Sequence, residues 1–187
     1  MKIATERLIL RNFYPADLDA LYLLLKDKEV NTFLPWFPVK NIKETEDFYH
    51  CRIENNRYFL AICQPEDNFP IGYVKADTGP SHDFGFALRR EFWHRGIVTE
   101  AGKALIKQLK REGVSYITAT HDINNPRSGG VMRQLGMLYC YSYEEQWQPK
   151  NFLVTFRMYQ LNLDGCNERV YREYWDTAKR RFIEKDL

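Results

Sequence analysis

Short runs of alternating apolar and polar residues recur along this chain, separated by glycine, proline and asparagine, with helically spaced stretches between them. The most informative run is Phe84, Phe86 and Leu88, which alternates with Gly85, Ala87 and Arg89 and predicts a strand with one buried face. A charged loop carrying Trp93, His94, Arg95 and Gly96 follows it. From Ile97 onward, Ala101, Ala104, Leu105 and Leu109 fall on one face of a helix. Strand, glycine turn and helix start together make a nest of free backbone N–H groups, which suits a phosphate.

The flanking segments read in the same way. Leu8 and Leu10 predict a first strand within Ala4–Phe13. Pro15 stands at a helix start, and Leu18, Leu21, Tyr22 and Leu25 mark one face of a helix ending near Asp27. Pro35 and Pro38 keep Phe33–Lys40 out of regular structure. Its aromatic residues Phe33, Trp36 and Phe37 are equally suited to line an acceptor pocket and to plug the end of the core. A second helix is expected over Ile42–Asn55, with Ile42, Tyr49, Arg52 and Ile53 in register. Arg57–Cys63 and Ile71–Lys75 form a predicted hairpin around the turn residues Pro65, Asp67, Asn68 and Pro70.

Gly113 terminates the long helix, and Ser115–Thr120 is a further strand. A turn at Asn125 leads into a short helix that faces Val131, Met132 and Leu135 inward, and strands around Tyr139–Glu144 and Phe152–Leu161 complete the sheet. In Asp164–Leu187, the residues Val170, Tyr171, Tyr174, Trp175, Ala178 and Phe182 form one helical stripe. That helix is expected to pack on its own domain, with a dimer contact or a lid over the acceptor site as the sharper alternative.

Composition adds bounds. A chain of 187 residues suits one domain, and a net charge of +2 implies no broad nucleic-acid footprint. Cys51, Cys63, Cys140 and Cys166 lack C-x-x-C spacing and read as reduced thiols, mostly filling the core. The opening MKIATERLILR has no signal-peptide core, and no run is long enough to span a membrane. One cytoplasmic domain, monomeric or homodimeric, without nucleic-acid or membrane partners, is the expectation. G-x-x-x-x-G-K-S/T, H-E-x-x-H and G-x-S-x-G are all missing, and a metal site built from His82, Asp83, His121 and Asp122 lacks ligand spacing.

The loop W-H-R-G-I-V-T-E-A, from Trp93 to Ala101, resembles the coenzyme A pyrophosphate loop of the GNAT N-acetyltransferase superfamily. More narrowly it is similar to the ribosomal-protein alanine N-acetyltransferase branch, which reads W-G-K-G-Y-A-T-E-A. His94 replaces that branch's first glycine, and Val98 its small residue. TERLILR resembles the branch's opening. Asn125, Ser128, Val131, Met132, Leu135, Gly136 and Met137 match N-x-x-S-x-x-V-(L/M)-x-K-L-G-(F/M), with Gln134 in place of the lysine. Three motifs in order, over about Thr5–Leu163, carry the likeness. It implies a mixed α+β fold with a twisted, splayed, mostly antiparallel sheet of about seven strands and about four helices. Residues 1–163 would form the acetyltransferase domain and 164–187 a helical extension on it.

The resemblance also implies a chemistry. Acetyl-CoA would be the co-substrate, with no metal. The backbone near Leu88 would hold pantetheine and polarise the thioester. The N–H groups of His94, Arg95, Gly96, Ile97, Val98 and Thr99, behind Trp93, would bind the pyrophosphate, with added charge from Arg95. Asp83 aligns with the family's acidic residue before the central strand and is the first candidate base, although pairing with His82 or a lysine would also account for it. His121, beside Asp122, is the second candidate, with an unperturbed pKa of about 6.5. Met132 stands where other branches carry a tyrosine, so Ser128 or a water would protonate the leaving thiolate, or no dedicated acid exists, and Asn125 would bond pantetheine or cap the helix. The expected acceptor is a primary amine, favouring a protein or peptide N-terminus over an amino sugar or polyamine. A non-catalytic acyl-CoA-binding module is the competing expectation, motivated by His94, Val98 and Met132.

Overall fold

The computed structural model describes residues 1–185. The N-terminal run is two strands rather than one: β1 (Lys2–Ala4) and β2 (Ile9–Asn12) pair antiparallel across a turn. Thr5 makes that turn, its N–H donating to Leu8 O at 2.9 Å while its hydroxyl accepts from Leu8 N–H at 3.0 Å. Pro15 opens a short 3₁₀ turn before α1 (Leu18–Leu25). Helix α2 (Ile42–Phe48) is capped by Asn41, whose side chain accepts from Glu44 N–H. It ends earlier than its sequence spacing predicts, because Tyr49–Ile53 continues as a wider π-helical turn.

Three strands follow: β3 (Phe59–Cys63), β4 (Pro70–Ala76) and β5 (Phe84–Leu88). They join the first two in a five-stranded antiparallel sheet in chain order. Central β3 is buried throughout. Phe59, Ala61 and Cys63 face the cluster around α1 and α2, whereas Leu60 and Ile62 face the other core. That second core is built on α3 (Ile97–Arg111), whose buried stripe Ile97, Ala101, Leu105 and Leu109 runs as the spacing predicts. Phe84 and Leu88 of β5 are buried in the same core, with Phe86 packed against it.

The remaining elements are β6 (Tyr116–Asp122), α4 (Pro126–Gln134), β7 (Leu138–Trp147), β8 (Phe152–Asn162), α5 (Glu173–Thr177) and β9 (Arg181–Phe182). The four strands form a second antiparallel sheet in the order β6-β8-β7-β9. The two sheets meet at β5 and β6, which share a single parallel bridge between Asp83 and Thr118 and then part. This splayed junction positions the site. Against the expected count of about seven, nine strands occur among the described residues, the additions being the short β1 and β9.

The C-terminal stripe is not one helix. Only α5 is helical, Ala178 is already extended, and Arg181–Phe182 pair with β7. The aromatic positions serve another purpose: Tyr174 and Trp175 lie on Tyr143 and Tyr141 of β7, with centroids 5.3 and 5.4 Å apart. All four cysteines are free, but only Cys63 is buried; Cys51 and Cys166 are exposed, so core filling explains one of the four. Among the described residues no helix is long and apolar enough to cross a membrane.

Candidate active site

The loop before α3 is shaped for an anion by its backbone. Gly96 has φ +71° and His94 φ +60°, both left-handed. Glycine takes that conformation without strain, whereas a residue with a Cβ gives up about 1–2 kcal/mol. His94 therefore keeps the backbone shape of the glycine it replaces, and its side chain is exposed. Val98 packs against the main core. The first helical bond of α3 runs from Glu100 N–H to Gly96 O at 3.0 Å. The N–H groups of Ile97, Val98 and Thr99 are thus left for an external acceptor at the positive end of a helix of 15 residues.

Glu100 holds this loop in place. Its carboxylate accepts from Thr5 Oγ1 at 2.6 Å, Arg7 N–H at 3.0 Å and Arg7 Nε at 2.7 Å, while Arg7 Nη1 donates to Arg95 O at 3.1 Å. Burial alone would raise the Glu100 pKa, but the bonds from Thr5 and Arg7 hold it below the ordinary value. Trp93 donates its indole N–H to Leu88 O at 2.7 Å. That carbonyl is therefore already engaged, and what Leu88 offers to a ligand is its N–H.

Open backbone continues along β5. Asp77 N–H donates to Asp83 O and Arg89 N–H to Ile71 O, so the alternating ladder turns the polar groups of residues 83, 85, 87 and 89 toward β4. Those of Phe86 and Leu88 point away from β4, into the gap beyond the Asp83–Thr118 bridge. Across the gap, Asn125 caps α4: its Oδ1 accepts from Ser128 N–H and its Nδ2 donates to Ser128 Oγ at 2.9 Å. The Ser128 hydroxyl keeps its own proton free to donate. Met132 is 2% exposed and lines the same cleft.

His121 and Asp122 do not form the side-chain pair that their adjacency suggests, because neighbours on a strand face opposite ways. His121 Nδ1 lies 2.8 Å from the Asp122 carbonyl oxygen, while the Asp122 carboxylate accepts from Asn124. His121 Nε2 has no partner among the described residues and sits so close to Gly129 that a Cβ there would be 2.6 Å away. Burial lowers the His121 pKa, so the imidazole is neutral. Ser128 and His121 share the cleft, but His121 is packed under α4.

Asp83 lies in the cleft, at the base of the gap. Lys75 Nζ bridges it to Asp77, at 3.1 and 2.8 Å. Desolvation raises the Asp83 pKa against the pull of Lys75. Burial alone would lower the Lys75 pKa, but Asp83 and Asp77 more than offset it and raise it. The tail reaches this point too: burial and the nearby Asp83 push the Tyr174 pKa up to about 12. Phe33 and Trp36 line the cleft, which has a volume of about 430 Å³, facing Trp147 and Phe156 of the second sheet. Trp36 also plugs the core, donating to Asn31 Oδ1 at 2.9 Å and packing on Phe48. Phe37 is 60% exposed and outside the cleft lining. Among the described residues no group of three or more His, Cys, Asp or Glu could hold a metal ion.

The model of the acetyltransferase (GNAT) domain matches residues 7–138, well over half of the chain. The chain belongs to the GNAT acetyltransferase family. Among curated proteins it is 24% identical over 141 residues to the uncharacterized N-acetyltransferase YnaD of Bacillus subtilis (strain 168), covering 73% of this chain and 82% of that protein. Among solved structures it is similar to spermidine N-acetyltransferase from Vibrio cholerae in complex with CoA and spermine. That match has a TM-score of 0.73 and 14% identity, and covers 85% of this chain and 97% of the other. It is also similar to an acetyltransferase from Salmonella typhimurium that modifies the N-terminal serine of 50S ribosomal subunit protein L7/L12. Here the TM-score is 0.72 and the identity 20%, with 87% and 99% covered.

As a GNAT enzyme, the protein is an N-acetyltransferase that uses acetyl-CoA, and the simple binding-module expectation gives way to catalysis. The nest at the start of α3 and the open edge of β5 fit the two ends of that co-substrate, a pyrophosphate and a thioester. Several residues of the site escaped sequence reasoning. Lys75 reads only as the end of a strand, and Glu100 as a helix-surface charge, although it lies inside the quoted loop motif. Lys150 gave no signal at all. It donates to Asn31 O at 2.7 Å and Thr32 O at 2.8 Å, tying the β7–β8 turn to the loop after α1.

Proposed function

We propose that this N-acetyltransferase acts on the N-terminal amine of a peptide or protein by direct attack on the thioester, with Asp83 as the general base. The observation that carries the reading is Asp83 itself: a carboxylate at the base of the splayed junction, with a pKa raised by burial, beside the open backbone of β5. A base suited to neutral pH needs such a shift, since an ordinary carboxylate titrates near about 4. Lys75 fixes its orientation and limits the rise.

The remaining roles follow from the parts. The N–H groups of Ile97, Val98 and Thr99 hold the pyrophosphate, and the exposed Arg95 adds charge beside them. The N–H groups of Phe86 and Leu88 face the thioester oxygen and stabilise the charge that develops there. Asp83 removes the ammonium proton directly or through water, the nitrogen forms its bond to the carbonyl carbon, and the C–S bond breaks as the nitrogen gives up its second proton to solvent. Ser128 gives its proton to the departing sulfur and regains one from solvent. An open groove walled by Phe33, Trp36 and Trp147 leaves room for the residues behind an N-terminal amine. Initial rates with saturating acetyl-CoA and short peptides test this. Asp83→Asn should lower kcat by about 10²–10⁴-fold, the usual share of a general base, while acetyl-CoA binding persists. Unchanged turnover in that variant would remove Asp83 from the mechanism.

A further inference from the structure

The acceptor wall carries two polar groups without a hydrogen-bond or ion-pair partner among the described residues, a buried phenol and an exposed guanidinium. Tyr73, in β4, is 1% exposed and packs its ring on Phe59 with centroids 4.6 Å apart. Its hydroxyl makes no hydrogen bond among the described residues. Yet His121 Nε2 is the one side-chain polar atom among them that is both unpartnered and fully shut away. The Tyr73 hydroxyl therefore reaches open space, and the space it borders is the cleft. Burial raises its pKa far beyond an ordinary phenol, so it is a neutral donor at any working pH.

The second group is Arg52, in the π-helical turn after α2, which lines the same cleft. Its guanidinium lies over the rings of Trp36 and Phe48, at 5.3 and 5.7 Å from their centroids. It has no acidic partner among the described residues, whereas the other cation of the cleft, Lys75, is shared by Asp77 and Asp83. Tyr73, Arg52 and Asp83 all line this one cleft.

Building on the peptide-amine reading, we propose that Tyr73 and Arg52 form an oxyanion subsite, so that the preferred acceptor is an amine carrying a carboxylate or phosphate close to the reacting nitrogen. A guanidinium with its face held by two rings keeps its N–H edge free, and that edge matches a carboxylate or phosphate. The buried phenol adds a donor that is costly to leave unpaired. With the amine at Asp83 and the anion at Arg52, one acceptor satisfies both ends of the wall. A polyamine would instead bring a second positive charge against an uncompensated guanidinium.

The test compares three tripeptides that differ only at the second residue (glutamate, phosphoserine or glutamine), with spermidine alongside. Wild type, Arg52→Gln and Tyr73→Phe are assayed after melting curves confirm that all three are folded. Wild type should favour an anionic peptide over the glutamine peptide by about tenfold or more in kcat/KM, the range of a charge-assisted hydrogen bond. Whether glutamate or phosphoserine ranks first identifies the source of the oxyanion. Both variants should shrink that ratio through KM. Equal kcat/KM for all three peptides, a preference that survives Arg52→Gln, or spermidine outpacing every peptide would each overturn the subsite. Loss of turnover of all peptides alike in Asp83→Asn speaks to proton removal alone, so the two readings fail separately.

Discussion

The two halves of the cleft are made in different ways. On the cofactor side, β5, the glycine loop and the start of α3 are one continuous stretch, and their working groups are backbone N–H groups. On the acceptor side, Arg52, Tyr73, Asp83 and Trp147 come from four separate segments, and their working groups are side chains. A backbone site depends on local conformation, so side chains within it can change while it persists, as His94 and Val98 show. A side-chain site depends on packing between distant elements, and each residue in it matters individually.

Three substitutions press on that contrast. The largest effect is expected from Glu100→Ala, which frees the loop from β1 and β2. It removes the acceptor for three hydrogen bonds, two of them from Arg7, so about 2–3 kcal/mol of stability should go, along with about tenfold in acetyl-CoA affinity. Calorimetry and cofactor titration read both, and an unchanged affinity would mean that the loop holds its shape unaided. Lys150→Met comes next. It cuts the two bonds that tie the hairpin to the loop after α1, so the KM for the amine should rise a few-fold, with acetyl-CoA binding untouched. A matching loss of acetyl-CoA affinity would show that the halves are coupled. The smallest effect is that of His94→Gly. Relief of the left-handed strain should raise stability by up to about 1 kcal/mol in thermal melts, partly offset by glycine's greater freedom when unfolded. A loss of stability would mean that the imidazole makes a contact of its own.

The same contrast explains what could be read in the sequence. Phe84, Phe86 and Leu88, the stripe on α3 and the Asn125–Ser128 cap are local patterns with fixed periods or offsets, and each lies where those patterns place it. The tail misled because its aromatic spacing fits a helix, although those rings are spent on Tyr141 and Tyr143 of β7. His121 and Asp122 misled because adjacency in a strand means opposite faces. Lys150 had no local signature, since its carbonyl partners lie 118 and 119 positions away, and Lys75, although Asp77 stands two positions on, gave no sign of Asp83 eight positions away. Arg11 had none either: in β2 beside Leu10, it is buried in a bidentate pair with Asp17, at 2.7 and 2.9 Å.

The most direct measurement is the pH dependence of kcat/KM for wild type and Asp83→Asn. The Asp83 pKa is raised, and a general base acts only when deprotonated, so wild-type activity should climb with pH through a limb above the ordinary carboxylate value of about 3.9, in addition to the amine's own limb near about 8. In Asp83→Asn that lower limb should vanish, leaving only the titration of the amine on a much reduced rate. A variant that keeps both the limb and the rate would contradict the account, because proton removal would then belong to another group.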